Sequence, residues 1–138
     1  MLASKAIETD IIRLLTGSRL ATEVSGGIYR AGLRPRGSEK EDIIVDFISG
    51  TVGYPSSGIV NVLVYVKDIT PYGNGVNVED GRRVDELQYM AGEWVESLTA
   101  GVSAYRFELD STITSEDDEA IGQHFIVVRL KYYIFDNN

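Results

Sequence analysis

Cysteine is absent from this chain of 138 residues, and histidine occurs once, at His124. Without a thiol there is no disulfide, no thiolate nucleophile and no cysteine-ligated zinc, and a lone imidazole excludes any site that needs two from one chain. Long apolar runs are missing too. The longest are a few residues, against the ~20 needed to cross a bilayer, and residues 1–20 lack the apolar centre of a signal peptide. The expectation is a protein made and kept in the cytoplasm, with no membrane partner. Basic side chains are outnumbered, 13 Lys and Arg against 21 Asp and Glu, and the resulting net charge of −8 argues against a general affinity for nucleic-acid phosphates.

What is present is ordinary globular material: 43% hydrophobic and 25% charged residues, with no repeat or low-complexity bias, in a length that fits one domain and one core. The charge is uneven along the chain. Residues 1–36 carry +3 and the remainder −11. A two-signed molecule of this kind can pair head to tail with copies of itself, although an acidic surface that merely keeps the chain soluble explains the same numbers more simply.

Hydrophobic periodicity sets the element order. Ile7, Ile11, Leu14 and Leu15 form one stripe of a helix over 4–15, with Ser4 as N-cap and Gly17 just past the end. Gly26-Gly27 breaks the chain, and Ile28-Tyr29 starts a short extended piece leading into the charged loop Arg34 to Asp42, where Pro35 and Gly37 mark a turn or mobile segment. Residues 42–48 and 59–66 are β-branched runs separated by the turn-rich stretch 50–58, a hairpin with a long tip. Ile59, Leu63 and Tyr65 alternate with Val60, Val62, Val64 and Val66, so both faces of this strand read as largely apolar, one covered by helices and the other open to a partner.

Residues 70–75 form the strongest loop signal. Beyond them Val84, Leu87, Ala91, Trp94, Val95 and Leu98 make a helical stripe over 80–99, with Gly101 at the stop and Trp94 as a core anchor. Tyr105, Phe107, Leu109 and Ile113 alternate with Arg106, Glu108 and Asp110 as a half-buried strand over 105–113. After an acidic turn at 115–119, Ile126, Val128, Leu130 and Ile134 alternate with polar residues in a second strand over 124–135, the hairpin partner of the first. The expected fold is α+β, a four- to five-stranded, mostly antiparallel sheet with two helices packed on one face.

The chemistry-bearing residues point to no active site. Glu116, Asp117, Asp118 and Glu119 are carboxylates of the kind that ligate Ca²⁺ or Mg²⁺, but their spacing matches no EF-hand loop and fits a solvated hairpin tip better. His124 is a formal base for Ser111 or Ser115, yet no Gly-x-Ser-x-Gly elbow accompanies it, and a lone histidine at a strand start fits a surface or interface residue. Gly73-Asn74-Gly75 lacks the Lys-Ser/Thr of a phosphate-binding loop. Catalytic residues, a metal site and a cofactor are therefore not expected. Arg30, Arg34 and Arg36 form a small basic cluster beside Tyr29, and the acids that follow favour a protein partner over DNA.

The order helix, Gly27-Ile28-Tyr29, strands at 42–48 and 59–66, helix at 80–99 and strands at 105–113 and 124–135 resembles the tail-terminator, or tail-completion, proteins of long-tailed bacteriophages. A proline that often precedes the second strand in that family is replaced by Glu41-Asp42. The resemblance implies a virion structural protein of the neck region, assembled in the host cytoplasm. Its subunits form a ring, commonly of six copies, that caps the tail tube and joins it to the head connector, while DNA only passes through. Arg30, Arg34, Arg36, Tyr54, Tyr72 and Asn74 are then the expected interface residues, and loops 33–41, 50–58 and 67–79, which carry all of them but Arg30, reach neighbouring rings. Two other readings stand beside it: another virion component, such as a head-closure or tail-tube protein, and a small ligand-binding module with its pocket between helix 80–99 and the sheet.

Overall fold

The computed structural model describes residues 3–99 and 104–135. The expected stop at Gly101 lies outside them. Helix α1 spans Ser4–Leu15, and its buried stripe is Ile7, Ile11 and Leu15, whereas Leu14, expected in the same stripe, is 39% exposed at the edge of that face. Its N-cap is Ala3 with no side-chain hydrogen bond, so Ser4 begins the helix rather than capping it. A second, short helix that periodicity does not reveal, α2 at Arg19–Glu23, follows at once. Five residues are too few for a stripe, and what starts the helix is its cap: the Ser18 side chain accepts the Ala21 amide at 3.2 Å. The long helix α3 spans Gly81–Thr99, with Asp80 accepting the Arg83 amide at its start.

Among the described residues the sheet has six strands: β1 Ile28–Arg30, β2 Ile43–Thr51, β3 Ser56–Lys67, β4 Tyr105–Leu109, β5 Thr114–Asp118 and β6 Gln123–Ile134. Their order is β1-β2-β3-β6-β4, with β5 also paired to β6. Only β1 and β2 run parallel. The Gly26-Gly27 break serves this edge. A Cβ on Gly26 would sit 2.0 Å from Asp42 Oδ1 and 2.7 Å from the Glu41 carbonyl, so only glycine lets the chain approach β2 this closely.

β3 and β6 pair along their whole length, from Ser56 opposite Ile134 to Lys67 opposite Gln123. The free edge of β6 is shared. β4 takes residues 130–134 and β5 takes residues 123–127. Two expectations change here. The strand predicted over 105–113 ends at Leu109, and the acidic run predicted as a solvated turn is largely the strand β5, with a 3-10 turn at Glu119–Ile121 after it. The reason is that β6 carries unpaired backbone donors and acceptors over 123–127, and a ladder satisfies them whatever side chains the partner carries. Glu116 and Asp117 stay exposed. The β2–β3 hairpin also closes more tightly than expected, because its strands extend to Thr51 and Ser56 and leave a tip of only 52–55.

Helices α1, α2 and α3 lie on one face of the sheet. Val60, Val62 and Val64 of β3 and Val128 and Leu130 of β6 join Ile11, Leu15, Leu20, Leu87 and Trp94 in a single buried cluster. Trp94 is 4% exposed and its indole N–H donates to the Leu14 carbonyl at 3.1 Å, satisfying one of the orphan acceptors at the end of α1. Among the described residues no helix lies on the opposite face. Ile59, Leu63, Tyr65, Phe125 and Val127 there are half-buried and share the surface with Asn61, Arg129 and Lys131, so it is of mixed polarity rather than largely apolar. Among the described residues no helix is long and apolar enough to cross a membrane.

Candidate functional site

The three arginines expected to form one basic surface do not lie together. Arg30 sits on β1 with its side chain against α1, where its Nε lies 3.6 Å from Glu8 Oε1 and its guanidinium also donates to the Thr9 hydroxyl. Glu8 is almost fully buried and accepts the Phe47 amide as well, so this pair ties α1 to the sheet edge. Arg34 is 15% exposed at the side chain and pairs at 2.8 Å with Asp42, which is 2% exposed. It also donates to Gln123 Oε1 and to the carbonyls of Ser38 and Lys40, and its guanidinium lies 4.0 Å from the centre of the Tyr65 ring. Both side chains are engaged within the fold, Arg34 more completely than Arg30, whose side chain is 33% exposed. Only Arg36 of the three is exposed.

The reason lies in backbone demand. Loop 33–41 must turn back toward β2, and Arg34, with five fixed donors, holds its carbonyls while neutralising Asp42. Burial of Asp42 acts to raise its pKa, but hydrogen bonds from Arg34, Ser38 and the Gly27 amide outweigh that and hold it below the ordinary value of 3.8. The segment is therefore a fixed turn. Beside it Arg83 makes a bidentate pair with Glu41, at 2.7 and 2.8 Å, and reaches Glu86 at 3.1 Å, which locks the start of α3 to the same corner.

Tyr54, Tyr72 and Asn74 are on exposed loop tips, at two ends of the molecule. β3 has 12 residues, so at ~3.3 Å each its ends are roughly 36 Å apart. Tyr54, 66% exposed, and Val52, 84% exposed, occupy the β2–β3 tip, where Tyr54 meets Phe135 edge to face at 6.5 Å. Tyr72, 74% exposed, occupies the other end in the loop after β3, and Asn74 there accepts the Val76 amide at 3.1 Å. Loop 33–41 belongs to this second end, since Lys67 pairs with Glu39 at 3.0 Å. Among the described residues most exposed large apolar side chains fall at the same two places, Ile48, Val52, Tyr54 and Phe135 at one and Leu33, Ile69, Tyr72, Val76 and Ile121 at the other, while Leu14 on α1, Tyr89 on α3 and Leu109 on β4 stand apart from both.

A cluster that sequence reading missed stands at the base of the second loop. Ile69 and Val78 bridge across it. Asp68 at the end of β3, Glu79 before α3, Asp117 on β5 and His124 on β6 converge there. His124 Nδ1 lies 2.6 Å from Asp68 Oδ1, and a carboxylate only accepts, so Nδ1 carries the proton. His124 Nε2 lies 3.8 Å from Glu79 Oε2 and 3.9 Å from Asp117 Oδ1, and Glu79 also accepts the Ser115 hydroxyl at 2.7 Å. Burial disfavours the charged imidazole, but the Asp68 hydrogen bond and the field of Asp68, Glu79 and Asp117 more than compensate and raise its pKa above 6.5. The sequence signal was an acid at each end of the loop, Asp68 and Glu79. Nothing local joined them to a strand 45 to 56 residues further on.

The pocket expected between α3 and the sheet is filled by Val84, Leu87, Ala91, Trp94 and Val95. Clefts occur elsewhere: one of about 240 Å³ between α2 and α3 beside Met90, and one of about 340 Å³ beside Arg34 and Gln123. The sequence matches no protein-family model, and no curated protein is significantly similar to it.

Proposed function

We propose that this protein is a structural subunit that assembles into a ring, of the tail-terminator kind, in the neck of a long-tailed phage. The observation that carries this reading is the gathering of exposed apolar side chains at the two ends of the β3–β6 ladder. A joining subunit has to contact one assembly above it and another below it, and apolar patches at opposite ends meet that need where a single concave pocket does not. The helix-free sheet face lies between the two ends and offers a lateral surface toward a neighbouring copy, since a heterologous contact whose rotation closes gives a ring. The reading assigns no catalytic step to the protein and no cofactor. DNA passes through the ring without being held, in keeping with a net charge of −8.

Sedimentation velocity over a wide concentration range, with negative-stain imaging of large species and isolated tail tubes added as template, tests the proposal. Rings with a central hole are the expected result. Val52→Asp and Tyr72→Asp, one at each end, should leave the ring intact and each abolish one of its two joints. A strict monomer at every concentration, with tail tubes present, overturns the reading.

A further inference from the structure

We propose that His124, Glu79 and Asp117 form a binding site for a divalent transition-metal cation of the zinc or manganese class, with Asp68 positioning the imidazole. The acids by themselves would be a solvated patch. What distinguishes the place is the histidine, whose side chain is only 18% exposed and whose Nε2 makes only long contacts, at 3.8 and 3.9 Å, to the carboxylates of Glu79 and Asp117. Asp68, 5% exposed at its side chain, accepts the hydrogen bond of Nδ1–H and so fixes the tautomer that leaves Nε2 facing Glu79 and Asp117. A carboxylate behind a ligating imidazole is the usual arrangement at protein metal centres, because it sets ring orientation and raises ligand basicity.

The spacing fits a cation. Nε2 lies 3.8 Å from Glu79 Oε2 and 3.9 Å from Asp117 Oδ1. Ligand arms of ~2.0–2.1 Å in a tetrahedron put neighbouring ligand atoms about 3.4 Å apart, so small rotations of two carboxylates close the gap. The compact group within 4.8 Å is Asp68, Asp117 and His124, and Glu79 lies outside it, so the Glu79 carboxylate has to swing toward Nε2 to complete the site; no lysine or arginine pairs with any of these acids among the described residues. One imidazole with two carboxylates excludes a preference for Ca²⁺ or Mg²⁺, which take oxygen, and fits zinc or manganese, with water completing the shell. The three ligands come from β6, β5 and the end of the loop that precedes α3, so the cation would fasten the base of loop 68–79, one of the two apolar ends. This inference stands independently of ring assembly.

The test uses the full chain stripped with a chelator and titrated with Zn²⁺, Mn²⁺ and Ca²⁺ separately, by calorimetry and by melting temperature. His124 is the only histidine in the sequence, so ¹⁵N chemical shifts of its ring report the site without ambiguity. Expected are one Zn²⁺ per chain, a higher melting temperature, and an Nε2 shift on binding while Nδ1 stays protonated. His124→Gln and Glu79→Gln should weaken binding most, and Asp68→Asn by on the order of tenfold. Asp117→Asn, at an exposed position, supplies the same readout should His124→Gln not fold. The absence of saturation up to about 1 mM Zn²⁺ overturns the site. Affinity unchanged in His124→Gln or Asp117→Asn overturns it too, as does Ca²⁺ binding as tightly as Zn²⁺.

Discussion

The helix-covered interior and the polar corner at the end of β3 are both well buried, yet they are held by different forces. The interior joins Trp94, Leu87, Ile11 and the inward valines of β3 with no ionised group in the cluster. The corner joins Arg34 to Asp42 and Gln123, Arg83 to Glu41, and His124 to Asp68. Apolar burial is non-directional and scales with area, so the interior supplies stability and tolerates volume-conserving change. Charge pairs contribute little net stability when desolvation is counted, but they are costly to break from one side and they fix geometry. The corner therefore decides where the loops go, while the interior decides whether the chain folds.

The sharpest way to break this contrast is at its apolar pole. Trp94→Ala should cost ~3–5 kcal/mol, the range for deleting a buried aromatic side chain, read as a fall in the urea midpoint with unchanged slope. An unchanged midpoint would show that the interior does not dominate. Next in size is Arg34→Ala. A wholly buried pair broken from one side loses ~3–5 kcal/mol, and partial exposure of Arg34 should reduce that to about 2–3. Loop 33–41 should then become sensitive to protease, whereas Trp94→Ala, examined below its melting temperature, should leave that loop resistant.

Acid titration separates the two regions without mutation of the corner's shape. The Asp42 pKa is lowered in the folded protein. Its contribution is thus complete above the unfolded value near 3.8 and is lost as pH falls through the lower, folded one. Unfolding followed from pH 6 down to pH 2 should show the stability of wild type and Trp94→Ala falling in parallel, and that of Asp42→Asn falling less steeply. Smallest of all, Val52→Asp and Tyr54→Asp at the far tip should change stability by less than ~0.5 kcal/mol, since neither region contains them. A large loss there would mean that the tip packs more than its exposure indicates.

Much of the fold was legible because burial repeats along the chain. Ile7, Ile11 and Leu15 announced α1, Val84 to Val95 announced α3, and the alternation of Ile126, Val128, Leu130 and Ile134 announced β6. The candidate sites were much less legible. Arg34 looked like a solvent-facing charge in a proline-glycine loop, and its partner Gln123 lies 89 residues away. His124 looked like an isolated surface residue because Asp68 is 56 positions distant and Glu79 belongs to another element. Tyr54 and Tyr72 were placed correctly on loop tips, but their separation to opposite ends follows only from the length of β3.

By itself the sequence determined which faces of its helices and long strands turn inward, since a period of 3.6 or 2 leaves a helix or strand only one way to bury its apolar side chains. It also excluded disulfide and thiolate chemistry, which needs a residue the chain does not have. The tertiary structure decided the rest. It made a strand of the acidic run Thr114–Asp118 because β6 had backbone groups to satisfy, turned Arg30 and Arg34 inward because Glu8 and Asp42 were buried, and gathered Asp68, Glu79 and Asp117 around the only imidazole. Each is a contact between residues distant in sequence, and no local pattern encodes such a contact until the sheet brings them together.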